Sequence, residues 1–71
     1  MVVTTLMIKV NGQDKPIDER TTLAQLIAQH NLTPQKVAVE LNRRLVRTEK
    51  YDETVLKAGD EVEIVTFVGG G

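Results

Sequence analysis

Glu61-Val62-Glu63-Ile64-Val65-Thr66-Phe67-Val68-Gly69-Gly70-Gly71 decides how this chain folds. Its first eight residues are rich in β-branched and aromatic side chains, which favour an extended strand. The two-residue period puts Val62 and Ile64 on one side and Val65 and Phe67 on the other. The strand then runs straight into three glycines. Glycine packs nothing in a strand and costs backbone entropy there, and with no helix before them these residues cap none. On this reading residues 1–68 form the folded domain and residues 69–71 a flexible tail. A frayed terminus or a linker would look the same.

Working outward, Lys57-Ala58-Gly59-Asp60 is a turn signal ahead of this strand. At the other end of the chain, Leu6, Ile8 and Val10 alternate with Thr5, Met7 and Lys9, the pattern of a half-buried strand. Asn11-Gly12 follows, the strongest short hairpin signal. Lys15-Pro16-Ile17-Asp18 reads as a short return strand. Its proline cannot donate to a ladder, which predicts a place at the sheet edge.

A helix is predicted over 22–30. Thr22 with Gln25 fits a capping box, with Thr21 as the alternative cap. Leu23, Leu26, Ile27 and His30 share a face at helical spacing. Asn31 suits a left-handed stop, and Pro34 blocks an easy continuation. Val37-Ala38-Val39-Glu40-Leu41 is another strand, Asn42-Arg43-Arg44 a polar turn, and Leu45-Val46-Arg47 a short strand paired back. Thr48 to Leu56 shows no clean period. The predicted strands are therefore 4–10, 15–18, 37–41 and 61–67, plus the short one. A compact arrangement is an α+β domain with the first and last strands parallel at the centre of a mixed sheet and the helix on one face. That is the ubiquitin-like β-grasp.

Composition narrows the function. The 71 residues form one small domain, which buries only about 60% of its unfolded surface and has little room for a deep catalytic pocket. It has no cysteine and one histidine, so neither a disulfide framework nor a zinc cluster can be drawn. Nine Lys+Arg against ten Asp+Glu give a net charge of -1, which makes no electrostatic case for nucleic acid. No run approaches the ~20 apolar residues that span a bilayer, and the expectation is a cytoplasmic protein. His30 lacks a partner for proton transfer and suits a helix C-terminus. Arg43, Arg44 and Arg47 read as a solvated turn, Tyr51 as a packing residue with its hydroxyl at the surface, and Asp18, Glu19, Asp52 and Glu53 as surface carboxylates.

The tail suggests chemistry performed by another protein. A C-terminal carboxylate is a poor electrophile until it is activated, for example as an acyl-adenylate. Glycines without a Cβ let a narrow channel close around the backbone and let a nucleophile reach the carbonyl. A chain without cysteine cannot carry sulfur on a thiol of its own. The open sheet face adds a docking candidate: Met7, Val65 and Phe67 are expected to form an apolar patch there, with Val68 leading into the tail.

The segment Leu56 to Gly71, with Gly-Asp-x-Val-Glu-Ile-Val-x-Phe-Val-Gly-Gly, resembles the ending of the ThiS family of sulfur carriers of thiamine biosynthesis. Met7-Ile8-Lys9-Val10-Asn11-Gly12 is similar to that family's beginning, and Asn42 to Arg47 to its middle turn. Met1 to Leu6 precede the family's usual start. The resemblance implies a carrier rather than an enzyme, with no catalytic residue, metal or bound cofactor of its own. It implies that an E1-like adenylyltransferase of the ThiF type uses ATP to adenylate Gly71, with Gly69 and Gly70 as its tail. Sulfur from a cysteine desulfurase or another persulfide donor then gives a thiocarboxylate (a 1-thioglycine). A thiazole synthase of the ThiG type takes that sulfur for the thiazole of thiamine. Two alternatives share the glycine end: the small-subunit carrier of molybdopterin synthase and a ubiquitin-like protein modifier.

Overall fold

The computed structural model describes residues 2–67. Five strands form one mixed sheet: β1 (Thr5–Val10), β2 (Gln13–Asp18), β3 (Val37–Leu41), β4 (Arg44–Val46) and β5 (Glu61–Thr66). Their order across the sheet is β2-β1-β5-β3-β4, with β1 and β5 parallel and the other pairs antiparallel. β5 therefore lies at the centre, as expected. A single helix, α1 (Leu23–Gln29), covers one face.

Local chemistry accounts for most boundaries. Asn11 and Gly12 both have positive φ, 50° and 82°, as a two-residue hairpin loop requires. That tight loop lets Gln13 pair at once with Val10, so β2 begins two residues before the predicted 15–18. Pro16 does lie on an edge strand. Asn42 and Arg43 repeat the device, at φ 52° and 71°, and pair Leu41 with Arg44.

The helix start is a complete capping box. The Thr22 hydroxyl accepts from the Gln25 N–H at 3.1 Å, and the Gln25 side chain accepts from the Thr22 N–H at 2.9 Å. Leu23, Leu26 and Ile27 are buried. His30 is at the helix C-terminus as expected, as its C-cap, but is exposed rather than part of the buried face. Its Nδ1 donates to the Leu26 carbonyl at 3.0 Å, since a carbonyl can only accept.

The core lies between α1 and the inner sheet face, where Ile8, Val39, Val62 and Ile64 meet the helix stripe. Two short 3-10 segments, Pro34–Lys36 and Thr48–Glu53, connect these elements. Sequence reading gave no element to either. The second carries Tyr51, only 2% exposed, into the core, and Leu56 follows it there. A lone bridge between Thr22 and Val55 ties this segment to the helix start.

Candidate functional site

The site is built around the end of β5. Alternation holds as predicted: Val62 and Ile64 are buried, while Val65 and Phe67 are 60% and 62% exposed. Phe67 is the last described residue, and its N–H donates to the Lys36 carbonyl at 2.9 Å. Val68, Gly69, Gly70 and Gly71, the expected lead-in and covalent tail, lie outside the described residues.

Asparagine side chains hold β5 at its start and in its middle. Ahead of the strand, the Asn42 Oδ1 accepts from the Glu61 N–H at 2.9 Å, and its Nδ2 donates to Asp60 Oδ1 at 3.0 Å. Asp60 in turn closes the preceding turn by accepting from the Lys57 N–H at 2.8 Å. Gly59 supplies the positive φ, 84°, which that turn needs. Later in the strand, Asn11 makes the corresponding contact at Ile64.

Met7 does not join Val65 and Phe67. It is exposed, at 53%, and on the expected face. Yet Lys9 pairs with Glu61, and the Gly59 N–H reaches the Met7 carbonyl. Met7 is thus level with Gly59, six residues before Val65. At ~3.3 Å per residue the two lie about 20 Å apart along the sheet. Lys9, Glu61 and Glu63 lie between them. The expectation of one patch overlooked the stagger of two parallel strands.

Leu45 takes the place expected of Met7. It is 70% exposed and pairs with Glu40, so it shares the open face with Glu40, Glu63, Ala38 and Val65. Its face follows from the two-residue turn at Asn42-Arg43; the three-residue turn expected at Asn42-Arg43-Arg44 would set Leu45 opposite Leu41 instead. Two shallow hollows adjoin Leu45 and Ala38. One, about 410 Å³, also touches Val65, Glu40, Glu61 and Glu63; the other, about 310 Å³, touches Phe67 and Arg47. Glu40 and Glu63 are direct cross-strand partners. Neither of the two ion pairs among the described residues, Lys9–Asp14 and Lys50–Glu53, involves them. Like charges placed this way cost the fold a few tenths of a kcal/mol, roughly.

Among the described residues no group of three or more His, Cys, Asp or Glu is placed to hold a metal. No described helix is long and apolar enough to cross a membrane. The arrangement of the described residues is a central strand with an exposed apolar strip of Leu45, Val65 and Phe67, and the glycines follow in the sequence.

Comparison with known proteins agrees with this layout. The model of the ThiS family matches residues 8–71. The sulfur carrier protein ThiS of Bacillus subtilis is 39% identical over 66 residues, covering 92% of this chain and all of that one. A thiazole synthase of Magnetococcus marinus is 38% identical over 66 residues, 93% of this chain but 20% of its own length. The chain thus spans a fifth of that relative. The crystal structure of a thiamine biosynthesis protein (ThiS) from Geobacter metallireducens superposes with a TM-score of 0.78 at 33% identity, covering 93% of this chain and all of that one.

Proposed function

The chain belongs to the ThiS family, and from that premise we propose that it is a sulfur carrier of thiamine biosynthesis whose working group is the Gly71 carboxylate. One observation carries the reading. The family match runs through Gly71, on a domain whose central strand leads directly to that end.

The chemistry requires a partner enzyme. The Gly71 carboxylate attacks the α-phosphorus of ATP in an E1-like adenylyltransferase and releases pyrophosphate. A persulfide sulfur then attacks the acyl-adenylate carbonyl and AMP leaves. A second thiol cleaves the resulting acyl disulfide, leaving the thiocarboxylate on Gly71 and a disulfide on the donor side. The thiocarboxylate is ionised at neutral pH, and its soft sulfur attacks an electrophilic carbon on the way to the thiazole. The likeness to a segment of a thiazole synthase supports that enzyme as the recipient.

This chain contributes position. β5 is paired with β3 over Val62 to Thr66 and with β1 at Glu61 and Val62, which sets its direction. Leu45, Val65 and Phe67 give partners an apolar strip near the tail. Holding the carrier there reduces the entropy cost of bringing the carboxylate to ATP.

The test is pyrophosphate exchange with the cognate adenylyltransferase and ATP. Wild type should support exchange. Deleting Gly71, or Gly70→Val, should abolish it with an unchanged circular dichroism spectrum. Full exchange in either variant would overturn the proposal.

A further inference from the structure

We propose that Asn11 is the positioning residue for the tail: its side-chain amide replaces the missing strand neighbour of Ile64 and so sets how β5 leaves the domain. This deepens the carrier reading and rests on it. β1 pairs with β5 only at Lys9–Glu61 and Val10–Val62. β5 continues from Glu63 to Thr66 without a β1 residue beside it, because the chain turns away at Asn11 and Gly12. On that side the peptide groups of Ile64 would face no strand.

Asn11 fills the gap. Its backbone N–H donates to the Val62 carbonyl at 2.8 Å. Its Oδ1 accepts from the Ile64 N–H at 2.7 Å, and its Nδ2 donates to the Ile64 carbonyl at 3.3 Å. A carboxamide carries the donor and acceptor of a peptide group, so the side chain adds one rung to a ladder that its own backbone has left. The opposite edge of this segment is held by β3, through the Val37–Thr66 pairing and the Phe67 N–H to Lys36 bond. Asn11 is therefore what holds the tail-proximal half of β5 from the second side. Losing it lets the strand end sample more directions, and a partner must then order it on binding.

Asn42 supplies the control. It too occupies a positive-φ hairpin loop and uses its amide on β5, but at Glu61, the end away from the tail. Glycine keeps either turn, since both positions have positive φ, and removes only the side-chain bonds. Stability should fall by similar amounts in Asn11→Gly and Asn42→Gly. Only Asn11→Gly should misdirect the tail.

The experiment pairs amide hydrogen exchange with steady-state pyrophosphate exchange. Asn11→Gly should speed exchange of the Ile64 amide while the Ile8 and Val39 amides keep the protection that global stability dictates. It should raise the KM of the adenylyltransferase for the carrier roughly tenfold, within the net effect of the two side-chain hydrogen bonds it removes, with kcat within about twofold. The split is expected because a docked tail is held by the enzyme's own channel. Asn42→Gly should leave KM within about twofold. An unchanged Ile64 amide in Asn11→Gly overturns the clamp, and equal KM changes in the two variants overturn its role in positioning. Absence of exchange with the wild-type chain would instead count against the carrier reading, and the Ile64 amide would still decide the clamp without any partner.

Discussion

Asn31 ends the helix at φ 59°, in the left-handed region. Its N–H donates to the Ala28 carbonyl at 2.9 Å, and the Leu32 N–H donates to the Ile27 carbonyl at 3.1 Å. These two bonds make a Schellman stop, with Leu32 packed against the core beyond it. Any Cβ crowds the carbonyl in this conformation; the short polar side chain of asparagine offsets that by local hydrogen bonding, and alanine has no such group. Asn31→Ala should lower stability by about 1 kcal/mol, a drop in Tm of roughly 4–8 °C for a domain this size. Asn31→Gly should stay within about 1 kcal/mol of wild type. Thermal unfolding decides it, and equal loss in both variants would contradict the account. The stop was legible in the sequence because it depends on neighbours only. The side-chain roles of Asn11 and Asn42 were not. Asn11 reads as a turn former, whereas its partner Ile64 is 53 positions away and is found only once strand register is known.

β5 is the element on which fold and function meet. Its inward residues belong to the core and its outward ones are exposed, where the proposed function places partner contacts, so the two sets should respond differently to truncation. Ile64 is 8% exposed, and Ile64→Ala should cost ~2–5 kcal/mol of stability. Phe67→Ala should change stability little but weaken binding to the adenylyltransferase by ~2 kcal/mol, roughly thirtyfold. Chemical denaturation and titration calorimetry separate the two effects. Normal partner binding by Phe67→Ala would reduce the strip to ordinary surface. Strand alternation made this assignment from sequence alone. The same rule misplaced Met7, because alternation gives the face of a residue and not its position along a neighbouring strand. The segment Thr48–Glu53 escaped for another reason: a single buried side chain, Tyr51, in a 3-10 turn sets up no period.

At the scale of the whole molecule, the proposed function gives a small domain one reactive end and leaves the chemistry to its partners. The glycine run, the lack of cysteine and the central β5 were readable in the sequence because each is a local pattern or follows from compact packing. The acidic pair Glu40–Glu63 and the strip through Leu45 came only with the fold, since both depend on how β3 meets β4 and β5. The central claim is that sulfur travels on the Gly71 carboxylate. Intact-protein mass spectrometry with C-terminal fragmentation tests it most directly, after incubation with the cognate adenylyltransferase, ATP and sulfide. The account predicts replacement of one oxygen by sulfur, confined to Gly71 and dependent on ATP. An unaltered mass, or sulfur placed anywhere else in the chain, would contradict it.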